Sequence, residues 1–320
     1  MPELKPSSLI EVSAKPARKT FNARKHLAHL FLLPAALLYG TFQLFPLITA
    51  VINSFYSWKG FSRDSFIGLQ NFITLFTESP YKETFVNAFK HNWTFFFVNV
   101  CSELVMAYIL ALIINSRLKG KEFFKTIFFL PKLLSVIVIG FLFSLILNPT
   151  TGALNLFLKS VGLDFLAHPW LGSTDTALIT IILINSWAGV GFSMLIFLAS
   201  LQSIDKEIFE AAKIDGASTL KTIFTITIPM TMNAIMTMTI LTFIGCFETF
   251  ELIYAMQGSS GGPYYSTDVL GTYFYRLAFG SVEGGQAIGL GSAIAVVLFL
   301  IIACSTAILM IYFKRKDFER

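Results

Sequence analysis

The apolar positions of this chain fall into long unbroken runs rather than into stripes. Six runs approach or exceed the roughly 20 residues that a helix needs to cross a bilayer. They lie near 28–51, 90–115, 126–147, 177–199, 231–255 and 287–313. A membrane β-barrel would instead need alternating segments of about ten residues, and none is present. Pro34 and Pro46 are expected to kink the first span or end its turns. Pro131 stands near the start of the third, where a missing backbone N–H costs least. The pattern predicts an all-α, polytopic membrane protein with six transmembrane helices. It divides into a basic tail over 1–27, a transmembrane region over 28–313 and a short tail over 314–320.

Composition supports that reading. Of 320 residues, 55% are hydrophobic and 13% charged, where a soluble domain carries about 25% charged residues. The first apolar run is longer than the core of a cleavable signal peptide and is expected to be a retained helix. Cys101, Cys246 and Cys304 all sit in apolar runs and read as small buried hydrophobes. The net charge of +5 gains its meaning from its distribution. Eighteen of the 24 Lys and Arg fall in the N-terminal tail, after span two, in 200–230 and in the C-terminal tail. Positive charge marks the cytosolic side, so both termini and the 200–230 stretch are expected inside. Topology accounts for the charge, and no nucleic-acid partner is implied.

One segment breaks the apolar pattern on that inner side. IFEAAKIDGASTLKTIFTITIP, 208–229, carries Glu210, Lys213, Asp215 and Lys221. Ser203 or Asp205 can cap a helix running to about Lys213. Asp215-Gly216 breaks it, and a second helix from about Ala217 places Leu220, Ile223 and Phe224 on one face. Pro229 is expected to end that second helix. On the other side, Gly152–Leu163 has the spacing of a short interfacial helix, with Leu154, Phe157, Leu158 and Val161 on one face.

The pattern Glu210-Ala211-Ala212, three residues, Gly216, nine residues, Ile226, one residue, Ile228-Pro229 resembles the EAA loop of ABC-importer membrane subunits. The extended form EAAKIDGAS is similar to the carbohydrate-uptake, maltose-transporter type. The resemblance continues through LFLLPAALLYGTFQLFPLITAVINSFYSW (30–58), FKTIFFLPKLLSVIVIGFLFSLILNPTTGALN (124–155) and FETFELIYAMQGSSGGPYYSTDVLGTYFYRLAF (247–279). It implies the type I permease fold, with a cytosolic coupling loop over 201–229 whose second helix docks on an ATPase. Glu210, Ala211, Ala212, Asp215, Gly216, Ala217, Leu220, Phe224 and Pro229 are the coupling residues it implies. It also implies a second homologous permease subunit, two cytosolic ABC ATPase subunits, an extracytoplasmic sugar-binding protein and a bacterial-type plasma membrane.

A sugar pathway needs hydrogen-bonding groups and aromatic faces within the spans, where polar residues are costly and face an interior. Candidates are Asn92, Asn99, Ser102 and Glu103 in span two, Asn185, Ser186, Trp187 and Ser193 in span four, and Glu248 and Glu251 in span five. In the maltose type the sugar is held by the spans flanking the EAA loop. The matching positions are Gly189 and Phe192 before it, and Thr242, Cys246 and Thr249 after it. The pathway residues expected are therefore Asn185, Trp187, Gly189, Phe192, Thr242, Cys246, Glu248 and Thr249, serving a neutral oligosaccharide. Glu251 matches an acidic position of the family and reads as structural. Tyr264, Tyr265, Tyr273 and Tyr275 suit either a binding-protein interface or the membrane interface.

No G-x-x-x-x-G-K-[ST] occurs, so ATP and its Mg are expected on the partner ATPases, with no cofactor, metal or catalytic site in this chain. A stand-alone, ion-coupled secondary transporter is the alternative. It predicts inverted repeats and broken helices, and leaves the 208–229 segment unexplained.

Overall fold

The computed structural model describes residues 23–116, 119–280 and 287–318. Among the described residues, four helices are long and apolar enough to cross a membrane: Phe31–Asn53, Tyr81–Asn115, Ala177–Gln202 and Ile288–Phe313. Two bent pairs, Lys121–Leu133 with Val136–Ile146 and Thr219–Met230 with Met232–Glu248, bring the number to six. This is the all-α polytopic architecture that the apolar runs predict. Of the expected tail over 1–27, residues 1–22 lie outside the described range, as do Arg117 and the side chains of His26, His29 and 314–320.

The residues through Thr49 and those from Ala50 onward form two units. The helix Ala23–Tyr39 contains Pro34 and passes through a π-helical turn, Gly40–Leu44, into Phe45–Asn53, within which the first unit ends. Neither proline ends the helix. A proline ring clashes with the carbonyl four residues back in an α-helix. Immediately before Pro46, the widened turn closes with Phe45 N–H bonded to Gly40 O, five back. The same device recurs before Pro229, where Ile223–Thr227 is π-helical and Ile228 N–H bonds to Ile223 O. The wide turn makes room for the ring. The helix ends at Met230, one residue past Pro229, close to where Pro229 was expected to end it. The chain bends by 68° at Thr231, which follows the last helical residue, Met230.

In the second unit, span two is a continuous helix from Tyr81 rather than from about 90. Its extra turns are amphipathic, so they escape a hydropathy reading. Phe85 and Ala88 there pack with Leu75, Leu270, Tyr273 and Ile294. Span three is not one helix. Leu130–Leu133 is a 3₁₀ turn holding Pro131, Leu134 and Ser135 are extended, and the axis turns by 96°. Span five is also interrupted: Met232–Glu248 ends at Thr249, and a separate helix, Glu251–Gln257, follows. Interrupted spans thus occur here, although the alternative reading claimed them for a secondary transporter. Spans two and four pack closely because Ala107 and Ala111, one turn apart, admit Met194, Phe197 and Leu198.

The loops opposite the 203–230 segment are tied down. An antiparallel hairpin, Tyr56–Lys59 with Ser62–Phe66, is a departure from the all-helical expectation. Arg63 stacks over Tyr56 at 4.8 Å and donates to Asn53 Oδ1 at 2.6 Å. A short helix forms over Ala153–Ser160, inside the expected 152–163 segment. Leu158 is buried and Leu154 reaches the core, while Phe157 and Val161 stay exposed, so the four do not share one buried face. Between spans five and six, Asp268 is fully buried and pairs with Arg276 at 2.6 and 3.1 Å. Thr272 Oγ1 donates to the same carboxylate at 2.6 Å. Burial pushes the Tyr273 hydroxyl pKa up. Asn92 of span two donates to Cys246 O and accepts from Leu270 N, both at 2.9 Å. One amide thereby fastens span two to span five and to the loop beyond it.

Candidate functional site

Two places combine unusual chemistry with geometry. The first is the segment between spans four and five. Its first helix is Lys206–Ile214, preceded by Asp205 in extended conformation. Gly216 has φ +72°, a left-handed turn that a side chain resists. The second helix starts at Thr219, where Ser218 Oγ accepts from Lys221 N–H. Ala212 is buried, while Glu210, Ala211 and Asp215 are exposed and Ala217 is half-buried. Around the turn, Ile214, Leu220 and Phe224 are 86, 69 and 67% exposed. Ile214 joins Leu220 and Phe224 as an apolar side chain presented outward, although the sequence reading passed over it. Its place just before Asp215-Gly216 was the available signal. At Thr231 the hydroxyl bonds Thr227 O at 2.9 Å and the Tyr108 hydroxyl at 2.7 Å, anchoring the bend to span two.

The second place is a cavity of ≈ 490 Å³ bounded by spans two to five. Asn185, Gly189, Phe192, Thr242 and Cys246 line it, five of the eight expected pathway residues. The other three lie elsewhere. Trp187 packs edge-on against Phe143 at 5.3 Å. Glu248 lines a separate apolar groove with Ile244, Phe274 and Leu298. Thr249 is the residue at which the span-five helix ends. Glu251 opens the next helix, where a carboxylate suits the positive end of the helix dipole.

Asn99 and Glu103, the span-two candidates outside those eight, also reach the cavity, as does Lys132, which was not a candidate, from the break in span three. Glu103 lies within a π-helical turn, Val100–Leu104. Its carboxylate accepts from Asn99 Nδ2 at 2.7 Å and from Ser193 Oγ at 2.6 Å. Asn99 Oδ1 in turn accepts from Ser186 at 2.8 Å and from Asn185 at 3.1 Å. The result is a buried polar seam between spans two and four that ends in the cavity wall. Buried polar groups need such partners in a low-dielectric setting. Lys132 was legible only as a flanking charge, because nothing in the sequence reveals that span three breaks beside it.

A polytopic helical protein with an outward-facing bent segment between two spans, and a polar cavity alongside, fits the permease class. The comparisons agree. The family model described as "Binding-protein-dependent transport system inner membrane component" matches residues 103–317. The chain is 35% identical over 296 residues to the probable ABC transporter permease protein YurN of Bacillus subtilis, covering 92% of this chain and 98% of that one. It is 32% identical over 303 residues to the multiple sugar-binding transport system permease protein MsmF of Streptococcus mutans, covering 93% and 98%. A chain from the crystal structure of a bacterial ABC transporter that imports the acidic polysaccharide alginate superposes with TM-score 0.76 at 25% identity. That match covers 92% of this chain and 96% of the other. The chain belongs to the binding-protein-dependent transport-system membrane-component family. It is a non-catalytic, multi-pass permease subunit of an ABC importer, not a stand-alone secondary transporter.

Proposed function

We propose that this chain forms half of the pathway of a carbohydrate importer and couples it to ATP through the 201–229 segment. The observation that carries the reading is the exposed apolar trio Ile214, Leu220 and Phe224 around the Gly216 turn. Three apolar side chains held outward on a built turn are a docking surface, since each would otherwise be better placed inside. Glu210, Ala211, Ala212, Asp215, Ala217 and the Pro229 bend shape and carry that surface. Its occupant is a cleft on one of two cytosolic ABC ATPase subunits, with a second homologous permease completing the pathway. Both termini are cytosolic, and the opposite loops receive an extracytoplasmic sugar-binding protein. The membrane is the bacterial-type plasma membrane, with a tail over 1–27, a permease domain over 28–313 and a tail over 314–320.

The cavity at Asn185, Gly189, Phe192, Thr242 and Cys246 is this chain's share of the cargo site. Its hydroxyl and amide groups suit sugar hydroxyls, and Phe192 offers a face for the C–H side of a pyranose. Trp187, Glu248 and Thr249 we place outside that wall. The cargo class rests on relatives named for sugar uptake. Closing of the ATPases draws the coupling segments together and turns the cavity outward, and hydrolysis resets it. The test is ATP-driven sugar uptake by the reconstituted importer, with and without Gly245→Trp. Gly245 lines the cavity and has no atom within 4 Å of an added Cβ. The variant is expected to assemble and to lose uptake; unchanged uptake contradicts the cavity assignment.

A further inference from the structure

Glu103 and Lys132 reach the same cavity from spans two and three. Among the described residues, neither forms an ion pair within 4.0 Å. Each is held apart by other contacts. Glu103 is fixed by Asn99 and Ser193, one donor on each oxygen. A carboxylate accepts about four hydrogen bonds, so both oxygens retain capacity. The ammonium of Lys132 lies 5.8 Å from the centre of the Phe192 ring, and Phe192 lines the same space. The cavity therefore presents an acceptor charge, a donor charge and an aromatic face around one volume, with formal charges that cancel.

We infer that Glu103 and Lys132 set the charge selectivity of the pathway, favouring a neutral, hydroxyl-rich cargo. This inference rests on the carbohydrate reading of the cavity. A sugar hydroxyl donates to Glu103, another accepts from Lys132, and a pyranose face lies on Phe192. A cargo carrying a carboxylate gains from Lys132 but meets Glu103; a cargo carrying an amine meets the reverse. Neither charged class gains net attraction, and both lose hydration on entering. Removing one member leaves the other uncompensated at the cavity wall, where a unit charge beside the cargo acts more strongly than in bulk water. The two single substitutions must then shift preference in opposite directions, which a merely structural role for either residue does not produce.

The test uses the assembled importer in nanodiscs and three disaccharide probes, read by saturation-transfer NMR. The probes are neutral diacetylchitobiose, its deacetylated diamine and anionic digalacturonate. Wild type is expected to prefer the neutral probe. Glu103→Gln, which keeps the side-chain shape and an acceptor for Asn99 Nδ2 while its NH2 donates to Ser193 Oγ, should raise the affinity ratio of digalacturonate to diacetylchitobiose about tenfold. Lys132→Gln should raise the ratio for the diamine by a similar factor. The double variant should return to the wild-type order. Unchanged ratios in both single variants, in complexes that assemble and hydrolyse ATP, overturn the inference while leaving the cavity as cargo site. If wild type binds none of the three and Gly245→Trp changes nothing, the cavity reading falls, and the inference with it.

Discussion

Gly189 makes room for Glu103. A Cβ on residue 189 would lie 2.6 Å from the Glu103 carboxyl carbon and 2.7 Å from each of its oxygens. The carboxylate cannot swing aside freely, because Asn99 and Ser193 hold it. Gly189→Ala is therefore expected to displace Glu103 and leave buried donors unmet, at a cost of about 1–3 kcal/mol. Thermal unfolding of the purified complex measures this. In a double-mutant cycle, adding Glu103→Ala should recover part of the loss. Strict additivity would mean that the two side chains do not share this space.

Asp268 and Arg276 give a second prediction. Removing one partner of a buried ion pair leaves the other charge uncompensated, at roughly 3–5 kcal/mol. Arg276→Met should lower stability by about 3 kcal/mol, since Asp268 is fully buried and Thr272 is its other side-chain partner. Glu248→Gln, at an exposed position, should stay within about 0.5 kcal/mol of wild type. Denaturation midpoints of the two variants side by side decide the point, and equal midpoints would contradict it.

Asn92 should behave like a rivet. Its amide bonds Cys246 O and Leu270 N from a fully buried position. Asn92→Leu leaves a carbonyl and an N–H buried without it, each worth about 1–3 kcal/mol. Hydrogen exchange is the direct readout: the Leu270 amide should lose protection first. Retained protection there would show that span two does not hold the loop.

Much of this was legible in the sequence, and the parts that were not share one cause. Hydropathy runs located six spans because burial in lipid demands apolar side chains over a fixed length. The two-part segment at 208–229 was legible because Gly216 and the charges on either side leave no other local structure. Breaks inside apolar runs were not. Leu134 and Ser135 leave the helix inside an apolar run, and Thr249 and Phe250 do so between Glu248 and Glu251, whose charges by themselves do not specify a break. Lys132 was consequently read as a flanking charge, and Glu103 had no visible partner. Helical spacing places Asn99 one turn before Glu103, but only packing brings Ser193 to its carboxylate. Pro46 was read as kinking the first span or ending its turns because the π turn that accommodates it has no hydropathy signature.

The proposed coupling surface yields a prediction that separates docking from folding. Leu220 and Phe224 are mostly exposed, so Leu220→Ser and Phe224→Ser should change stability by no more than about 0.5 kcal/mol. At a docking surface, apolar anchors carry a large share of the affinity, about 2 kcal/mol or more each. The variants should therefore bind the ATPase at least about tenfold more weakly at unchanged unfolding temperature. A matching loss of stability would instead make these residues part of the fold.

The central claim is that the turn at Gly216 joins this chain to its ATPase. Its most direct test is purification of the tagged chain from its native membrane, wild type beside Gly216→Pro. Proline fixes φ near −65°, whereas this position stands at +72°. The account predicts that a P-loop ATPase and a second permease accompany the wild type, and that the variant keeps the permease and loses the ATPase. An ATPase retained in full by Gly216→Pro would contradict it.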